Sequence, residues 1–431
     1  MSAALPRRVA VIGAGWAGLA AAVEATRLGH RVSVHEMAPQ AGGRAREVPG
    51  DETHGPLDNG QHILIGAYTE TLALMRLVGA DPERLLMRRA LCLSHADGDG
   101  LVLGPGAAVP AFVRAVLAQR RWPLGDRLAL LRAAAGWRLG GFRCDPAWTV
   151  AQLTRRLPAR LREGVIDPLC VAALNTPSDE ASATVFLRVL RDALFAGPGA
   201  ADLLLPRARL SELLPRPALR WLQAGGAVVH LRQRVHAITP RSDSTPGWEV
   251  DGEPVERIVM ATTAQSAAHL VAPHDARWAA AARAIRHEPI CTVHVHSAGT
   301  RLPLPMLALH SDTSQRPAQF VFDQGQLDGP PGLLSLVISG AAPWVERGAA
   351  VTTDAAVAQI EHQLGALLAS RPTPVAVLTD KRATFRCTPG LQRPAARVAE
   401  GWLAAGDYID GPYPATLEGA VRSGLAAARA L

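Results

Sequence analysis

The chain has 431 residues, of which 48% are hydrophobic and 19% are charged, a balance typical of a folded protein with large cores and not of a disordered chain. No uninterrupted apolar run reaches the roughly 18 residues of a membrane-spanning helix, and the five cysteines are scattered without CxxC spacing, which predicts reduced thiols and no metal site. The formal net charge is +7 and is unevenly spread, with a strongly basic segment at residues 107–163.

The first predicted elements form a βαβ unit. The apolar run Val9–Ile12 predicts a short buried strand, the Ala-rich stretch from about Trp16 to Leu28 predicts a helix, and Arg31–His35 predicts a second strand. Gly29 is the stop signal between the helix and the second strand. Because the chain enters its first strand almost at once, we expect no signal peptide and a cytoplasmic protein.

The turn between the first strand and the helix has the spacing of a dinucleotide-binding site. Gly13 permits the tight turn, Gly15 lets the backbone approach a pyrophosphate, and Gly18 packs the helix against the strand. Free N–H groups and the helix dipole favour an anion at this helix start. The residues predicted to contact the cofactor here are Gly13, Gly15, Trp16, Ala17 and Gly18.

The residues after the second strand favour FAD over NAD. Glu36 ends the strand and is placed to accept hydrogen bonds from a ribose. Gly42-Gly43-Arg44-Ala45 resembles the GGR continuation of the amine oxidase and carotenoid desaturase superfamily, in which the chain crosses back over the pyrophosphate and the arginine helps to hold FAD. Asp58–His62 resembles the segment that reaches the flavin ring in that superfamily. The resemblance implies FAD contacts by Gly43, Arg44, Gly60, Gln61 and His62.

A second part of the predicted FAD site lies in the middle of the chain. Residues 225–235 predict a strand, a turn and a strand after a helix at Pro217–Gln223. In the superfamily, a backbone group at the position of Val235 meets the adenine. Strand Arg257–Ala261, with the two threonines that follow it, resembles the strand that returns to the dinucleotide domain.

The C-terminal segment is expected to close the site. A strand at Leu403–Gly406 leads into Asp407, and a final helix is predicted at Ala420–Leu431. In related flavoproteins the Asp407 position bonds the ribityl–pyrophosphate region, and the start of the last helix faces the O2 end of the flavin. The implied contacts are Gly406, Asp407, Thr416 and Leu417.

Together these patterns predict an α/β fold, a Rossmann-like FAD-binding domain interleaved with an α+β substrate domain. We place the FAD-binding domain at residues 1–105, 205–265 and 385–431. The substrate domain takes residues 106–204 and 266–384. The boundaries follow from the positions of the motifs along the chain.

Four segments resemble the hydroxysqualene dehydroxylase family more closely than the superfamily at large: residues 58–68, 167–177, 382–385 and 417–424. Tyr408 and Ile166 depart from that family's usual aromatic residues. The resemblance implies reduction of hydroxysqualene to squalene and water in hopanoid synthesis, with a hydride passing from N5 of reduced FAD to the allylic carbon. The electron donor that reduces FAD is left open.

The implied reaction needs an acid on the departing hydroxyl, because hydroxide is a poor leaving group. His62 is the first candidate, since it lies in the flavin segment and histidine titrates near neutrality. The alternative is that His62 only bonds the flavin or its own backbone. Tyr413 is the second candidate and Asp167 the third.

Other polar residues receive structural interpretations. Asn175 and Thr176 are expected to shape a turn before Pro177. The alternating histidines at 287, 294 and 296 are expected to be hydrogen-bonded residues on one face of a strand and to bind no metal.

Three rival functions remain open. An amine oxidase would usually carry a lysine near residues 287–292; none is there, and Lys381 is far along the chain. A carotenoid or phytoene-type desaturase also takes a long polyprenoid. A non-catalytic prenyl carrier of the same fold is disfavoured by Arg44, Gly60 and Asp407, which a protein without FAD would not need.

The basic segment at 107–163 contains eleven arginines and three acidic residues, a local net charge of +8. Its aromatic residues include Phe112, Trp122 and Trp137, and four residues fall on one helical face: Leu124, Leu128, Leu131 and Ala135. Arginine and tryptophan beside an apolar face are typical of a segment on an anionic membrane surface and not of nucleic-acid binding. We therefore expect a peripheral protein on the inner face of the cytoplasmic membrane. The alternative is an Arg-rich solvated helix.

Overall fold

The computed structural model describes residues 6–104, 106–194, 197–241, 245–312 and 314–431. In chain order, the described strands are β1 (Arg8–Ile12), β2 (Arg31–Glu36), β3 (Glu47–Val48), β4 (Leu57–Asp58), β5 (Leu64–Ile65), β6 (Leu86–Arg89), β7 (Cys92–Ser94), β8 (Gly100–Val102), β9 (Leu203–Pro206), β10 (Val228–Leu231), β11 (Ile238–Pro240), β12 (Trp248–Val250), β13 (Glu253–Val255), β14 (Arg257–Met260), β15 (His287–His296), β16 (Met306–Ala308), β17 (Phe320–Asp323), β18 (Leu333–Ile338), β19 (Thr373–Phe385), β20 (Arg397–Ala399) and β21 (Trp402–Ala404).

The described α-helices are α1 (Trp16–Arg27), α2 (Thr69–Leu77), α3 (Pro82–Leu85), α4 (Ala108–Ala118), α5 (Leu124–Leu139), α6 (Val150–Thr154), α7 (Ala159–Leu161), α8 (Asp167–Leu174), α9 (Ala183–Leu194), α10 (Leu210–Leu213), α11 (Pro215–Ala224), α12 (Ala264–Val271), α13 (Ala276–Ala284), α14 (Ala342–Arg347), α15 (Ala349–Leu364) and α16 (Leu417–Arg429). A π-helical turn, Arg162–Ile166, leads into α8, and 3₁₀ turns lie at Gln324–Leu327 and Gly365–Leu367. None of the described helices combines the length and the apolar character needed to cross a bilayer.

A six-stranded sheet, with the order β10-β2-β1-β14-β21-β20, forms the frame of the dinucleotide site. Its first five strands run parallel, and β20 pairs antiparallel with β21. Helix α1 is buried along most of its length beside this sheet. Helix α16 packs on α1, and a Cβ at Gly424 would lie 2.1 Å from the carbonyl oxygen of Ala17. Only glycine at 424 therefore allows the two helices to approach this closely.

An antiparallel sheet with the order β16-β17-β18-β15-β19 faces the first across the molecule. Its core side chains include Val293, Val321, Leu334 and Leu336. The remaining strands form two-stranded or three-stranded ribbons: β3-β4, β7-β8, β5-β9-β6 and β11-β12-β13. The α/β fold class that the sequence predicts is confirmed, whereas the domain boundaries stay a prediction.

Two sequence-based boundaries are corrected by the structure. Residues 225–235 hold one strand, β10, and not two, because Arg232 adopts a left-handed φ of 59° and ends it. The backbone N–H of Gln233 then bonds the carbonyl oxygen of Glu36, at 2.9 Å. The final helix begins at Leu417 and not at Ala420, because the hydroxyl of Thr416 accepts from the N–H of Gly419 and caps it.

The basic segment folds as helices, but only part of its apolar surface faces outward. Trp122 is 2% exposed and donates its indole N–H to Asp99, at 3.0 Å, so it is a core residue and not a surface anchor. On α5 the buried residues are Leu130 and Ala134. The predicted face is turned outward only in part: Leu124 is 62% exposed and Leu128 is exposed as well, whereas Leu131 packs against the core.

Candidate functional site

A single cavity of about 1140 Å³ lies at the carboxyl ends of the parallel strands. The residues just after β1, β2, β14 and β21 line it together with side chains of the antiparallel sheet and of the helical region. Ligands of doubly wound sheets bind at this edge. Most side chains predicted to contact FAD line this cavity: Gly13, Gly15, Trp16, Ala17, Glu36, Gly43, Arg44, Gly60, Gln61, His62, Val235, Gly406, Asp407, Thr416 and Leu417.

Gly13 and Gly18 have the structural roles that the sequence predicts, a tight turn and a close packing contact. Gly13 has a φ of +101°, and a Cβ there would lie 2.6 Å from the carbonyl oxygen of Ala261. A Cβ at Gly18 would lie 1.9 Å from the carbonyl oxygen of Gly13, so Gly18 shapes the turn and does not line the cavity. Gly15 differs from both, because a Cβ there would meet nothing nearer than Gly43 Cα, at 3.9 Å. Gly15 therefore leaves open space at the cavity wall, where the sequence predicts the pyrophosphate.

Glu36 is held rigidly at the end of β2. Its two carboxylate oxygens accept from the backbone N–H groups of Ala14 and Ala38, each at 2.7 Å. A carboxylate oxygen has a further lone pair beyond the one used in each bond. Glu36 can thus accept a ribose hydroxyl without losing its own contacts.

Arg44 and Asp407 meet on the opposite side of the groove, with Arg44 Nη2 2.7 Å from Asp407 Oδ1. Arg44 Nη1 also donates to the carbonyl oxygen of Ala383, at 2.7 Å. Asp407 is 8% exposed, and its charge is balanced by the guanidinium. The open groove at Gly15, the free helix start, the carboxylate of Glu36 and this cation together fit FAD.

The flavin segment is anchored before it reaches the cavity. Asp58 Oδ1 accepts from the N–H of Leu210, at 2.9 Å, and burial raises the pKa of Asp58 to about 6. Asn59 donates its amide to the carbonyl oxygen of Arg44, at 3.1 Å. These bonds fix the backbone at Gly60, after which Gln61 and His62 line the cavity.

His62 presents an acceptor to the cavity, which alters its expected role. Its Nδ1 lies 3.0 Å from the carbonyl oxygen of Gly60, so Nδ1 donates and Nε2 carries the lone pair of the neutral ring. Burial, together with the nearby guanidinium of Arg44, holds the pKa of His62 below its usual range. The bond to the Gly60 carbonyl is the one expected if His62 bonds its own backbone, and the lowered pKa disfavours the protonated ring that an acid would need.

Tyr413 lines the same cavity between two arginines. Its hydroxyl lies 3.4 Å from Arg188 Nη2, and the guanidinium groups of Arg188 and Arg422 lie 5.1 and 5.6 Å from its ring centroid. Arg393 donates to its carbonyl oxygen, at 3.0 Å. A guanidinium can only donate, so the phenol accepts from Arg188 and keeps its own hydrogen available to a ligand.

Asp167 does not line the cavity. It bonds the side chain of Ser178, and burial raises the pKa of its carboxyl. The interpretation of Asn175 as a turn residue is confirmed, since it ends α8 in a left-handed conformation, with a φ of 46°. Its side chain also donates to Thr384 Oγ1, at 2.9 Å, and ties α8 to β19.

Strand β19 supplies polar lining residues that the sequence analysis did not place: Thr379, Asp380, Lys381, Arg382 and Thr384. The sequence does contain a signal for these lining residues, because segment 382–385 is one of the four that resemble the hydroxysqualene dehydroxylase family. The pairing of Ile290 with Asp380 brings Lys381 beside the start of β15. Lys381 therefore lies near residues 287–292, and the prediction that it is too far along the chain is wrong. Its side chain is exposed and lines the cavity.

The histidines of β15 are divided between two environments. His294 is buried and bonds Ser335, whereas His296 lies against His54, with ring centroids 5.3 Å apart. His287 lines the cavity, and its Nδ1 lies 3.4 Å from Gln265 Nε2. Within the described part of the chain, no group of three or more His, Cys, Asp or Glu side chains could hold a metal ion.

The part of the cavity away from the glycine turn is predominantly apolar. Its walls come from α8, α9, β7, β9 and the antiparallel sheet, and they include Ile63, Ile65, Leu91, Leu93, Leu169, Val189, Leu190, Leu203, Phe320, Phe322 and Phe385. Such walls suit a long hydrocarbon chain and offer few partners to a charged substrate. One cavity thus combines a dinucleotide groove with an apolar chamber.

Comparison with known proteins agrees with this site. Residues 16–431 match the family described as flavin containing amine oxidoreductase, and the chain belongs to that family. It is therefore an FAD-dependent oxidoreductase, as the sequence predicts. The crystal structure of an oxidoreductase from Methanosarcina mazei has a TM-score of 0.73 and 16% identity, covers 97% of this chain and 99% of its own, and shares the fold.

Similarity to named relatives extends over nearly the whole chain. The hydroxysqualene dehydroxylase of Rhodopseudomonas palustris is 28% identical over 98% of each chain, and that of Sinorhizobium fredii is 27% identical over 98% of each. The 15-cis-phytoene desaturase of Synechococcus elongatus is 25% identical over 98% of this chain and 95% of its own. The resemblance that the motifs indicate is thus confirmed.

Proposed function

We propose that this FAD-dependent oxidoreductase replaces the hydroxyl group of hydroxysqualene with hydrogen, giving squalene and water in hopanoid synthesis. The observation that carries the proposal is the continuity of the dinucleotide groove with a large apolar chamber. The names of the relatives that match from end to end supply the substrate class.

The reaction exchanges a carbon–oxygen bond for a carbon–hydrogen bond. Bound reduced FAD supplies the hydrogen with its electron pair and is oxidised in return. The chain has to bind the alcohol, keep water away from the electron-deficient allylic carbon and provide a proton so that the oxygen leaves as water. The apolar walls serve the second need, because water in the chamber would compete for that carbon.

Tyr413 is the better placed of the two candidate acids. Its hydroxyl accepts from Arg188 and keeps a hydrogen to donate, whereas neutral His62 offers only a lone pair at Nε2. The order of preference from the sequence, His62 before Tyr413, is therefore reversed in this proposal. The water-excluding chamber strengthens the hydrogen bond from either group.

The rival functions differ in what they require of the cavity. A desaturase would use the same apolar chamber with the electron flow reversed, so only turnover separates it from a dehydroxylase. An amine oxidase would need to bind a polar amine against these apolar walls. A carrier without FAD would have no use for the Arg44–Asp407 pair at the groove.

Two anaerobic incubations test the proposal. Reduced enzyme prepared and incubated in D₂O, which keeps flavin N5 deuterated, is expected to convert hydroxysqualene into squalene that carries deuterium at the allylic carbon. Oxidised enzyme is expected to leave phytoene unchanged. Conversion of phytoene with hydroxysqualene untouched would establish the desaturase instead, and squalene without deuterium would exclude direct transfer from the flavin.

We further propose that α4 and α5 deliver this insoluble substrate from an anionic membrane surface. Four leucines are exposed there on neighbouring helices: Leu117, Leu124, Leu128 and Leu139, the last of them 88% exposed. Arg120, Arg132 and Arg138 are exposed beside them. Apolar side chains flanked by arginines complement an acyl layer under anionic headgroups.

A further inference from the structure

A hydrogen-bond chain leads from half-buried Gln61 in the flavin segment into the interior of the antiparallel sheet. Gln324, in the 3₁₀ turn after β17, donates its side-chain amide to Gln61 Oε1, at 2.9 Å, and to Ser335 Oγ, at 2.8 Å. Ser335 lies opposite His294 in the β15–β18 pair, and its hydroxyl is 2.9 Å from His294 Nδ1. Ser335 and His294 are both buried.

The structure orients the Gln324 amide with its nitrogen toward Gln61 and Ser335, while the direction of the Ser335–His294 bond depends on the histidine tautomer. Gln324 Nε2 has two hydrogens, and both are used, one on Gln61 and one on Ser335. Since Ser335 accepts from Gln324, its own hydrogen can be donated to His294 Nδ1. Burial lowers the pKa of His294 to about 4, so the ring stays neutral and can accept this bond.

These hydrogen bonds determine which end of the Gln61 side-chain amide is free. The oxygen of Gln61 is occupied by Gln324, so its NH₂ group is the end left for a ligand in the cavity that Gln61 lines. None of the described residues accepts a hydrogen bond from Gln61 Nε2. The adjacent His62 offers an acceptor, so the donor on this segment is Gln61.

We propose that Gln61 donates a hydrogen bond to the hydroxyl oxygen of the polyprenyl alcohol, and that Gln324, Ser335 and His294 act as positioning residues that keep its NH₂ group turned toward the cavity. The proposal rests on the proposed function. A hydroxyl entering apolar walls without a donor would lose its bonds to water. The hydrocarbon product cannot accept this bond, so it leaves the buried donor unpaired and is readily displaced by the next alcohol molecule.

Equilibrium binding to the oxidised, FAD-loaded enzyme tests this without turnover. Hydroxysqualene and squalene are titrated in turn, and binding is followed by the change in flavin absorbance. The wild type is expected to bind the alcohol about 10-fold more tightly than the hydrocarbon, the effect of one hydrogen bond in a dry site. Gln61→Leu is expected to abolish this preference and to retain squalene binding.

The positioning residues are tested by reversing the direction of the hydrogen bond between Gln324 and Gln61. Gln324→Glu keeps the shape of the side chain but offers only acceptors when ionised, so it draws the NH₂ of Gln61 toward itself and turns the Gln61 oxygen to the cavity. In Gln324→Glu, the ratio of the affinity for hydroxysqualene to that for squalene is expected to fall close to 1. Ser335→Ala leaves Gln324 without one acceptor and is expected to lower this ratio in part. Gln392→Glu, in an exposed loop, is the matched control and is expected to keep the full preference.

Circular dichroism and squalene affinity show whether each variant is folded, since Gln61 is itself a predicted FAD contact. Ser335→Ala takes the place of Gln324→Glu if the latter does not fold. Failure of the wild type to bind either lipid would overturn the proposed function itself. Equal binding of both lipids by a wild type that converts hydroxysqualene would overturn only the role of Gln61. If Gln324→Glu and Ser335→Ala both retain the preference for hydroxysqualene over squalene, Gln324, Ser335 and His294 do not position Gln61.

Discussion

Arg44 and Asp407 are 363 positions apart in the chain, yet their side chains form an ion pair of 2.7 Å in the wall of the dinucleotide groove. The pair joins the segment after β2 to the segment after β21, so the two ends of the molecule close one site. Asp407 is buried, and removing its partner would leave a carboxylate uncompensated in a poorly solvated position. The pair therefore links two distant segments of the fold, and it places the predicted FAD contacts Arg44 and Asp407 side by side in the cavity.

The groove predicts that Gly15→Val removes FAD without unfolding the protein. A Cβ at Gly15 meets no atom of the chain closer than 3.9 Å, so the backbone tolerates a side chain there, whereas the valine methyl groups are expected to occupy the space for the pyrophosphate. Flavin absorbance after purification and circular dichroism are the measurements. Gly125→Val, on the outer face of α5 with no atom within 4 Å of its Cβ, is the control and should keep its flavin. Full flavin content in Gly15→Val would show that the pyrophosphate lies elsewhere.

Arg44→Ala is expected to lower both flavin content and stability, whereas Gly15→Val lowers flavin content alone. The difference arises because Arg44 compensates the buried charge of Asp407 even without a ligand. The Arg44 side chain is 39% exposed, so the loss is expected to stay below the roughly 3–5 kcal/mol of a fully buried pair. Urea unfolding measures the second effect. The double variant Arg44→Ala/Asp407→Asn should recover part of the lost stability but not the flavin. A stability equal to that of the wild type in Arg44→Ala would contradict the structural role of the pair.

The two candidate acids are distinguished by conservative variants. Tyr413→Phe keeps the ring between Arg188 and Arg422 and removes only the hydroxyl, so kcat for dehydroxylation is expected to fall by about 10²–10⁴-fold, the usual contribution of a positioned acid. His62→Asn is expected to reduce kcat less, because the neutral ring offers an acceptor. Single-turnover kinetics with reduced enzyme measure both. A larger loss in His62→Asn than in Tyr413→Phe would restore His62 as the acid.

The first βαβ unit could be predicted closely from the sequence, because each of its boundaries is set by local chemistry. Gly13 is required by a positive φ and Gly18 by contact with a carbonyl oxygen, and both requirements can be recognised from glycine spacing alone. The strand at residues 232–235 was predicted wrongly, since Arg232 adopts a left-handed conformation that nothing in its residue type indicates.

The contacts between distant segments could not be predicted in the same way. Gln61 and Gln324 are 263 positions apart, and only the packing of β17 and β18 brings them together. Trp122 was expected on the surface because tryptophan and arginine alternate near it; its bond to Asp99 depends on the β7–β8 ribbon, which the local pattern does not show. Lys381 approaches β15 for the same reason, through strand pairing and not through proximity in sequence.

Asp58 predicts a pH dependence of stability. Burial raises its pKa from 3.8 to about 6, so the folded state favours the protonated carboxyl. Its contribution to stability is fully present below pH 3.8 and is lost as the pH rises through 6. Asp58→Asn keeps an oxygen for the N–H of Leu210 and cannot ionise. It should therefore be more stable than the wild type at pH 7, by about 2–3 kcal/mol, since each pKa unit corresponds to about 1.4 kcal/mol.

Urea titrations at pH 5 and pH 7 measure this difference in stability. The stability gained by Asp58→Asn over the wild type is expected to be smaller at pH 5 than at pH 7. Asp354→Asn, at an exposed position of α15, is the control and should show no such trend. A variant that is less stable than the wild type at pH 7 would mean that the charge of Asp58 is compensated in the folded state.

The helices α4 and α5 lead to the last prediction, which concerns the membrane. Arg127 donates to the carbonyl oxygens of Trp122 and Leu117, at 2.9 and 3.0 Å, so it holds the turn between the helices and is unsuitable as a test position. Arg120, Arg132 and Arg138 are exposed, and each could contribute about 1 kcal/mol of attraction to an anionic surface, screened by salt. Their leucine neighbours would add apolar burial that salt does not weaken.

We therefore expect binding to anionic vesicles that decreases as salt rises, measured by co-sedimentation of the FAD-loaded protein. Replacing Arg120, Arg132 and Arg138 with Gln should weaken this binding and leave flavin content unchanged. The same change at Arg220, Arg277 and Arg301, which are exposed elsewhere on the molecule, should have little effect although it removes the same charge. Leu124→Gln with Leu128→Gln should reduce the binding that persists at high salt. If both arginine triples weaken binding equally, the attraction follows net charge alone, and α4 and α5 are a solvated surface and not a membrane-binding one.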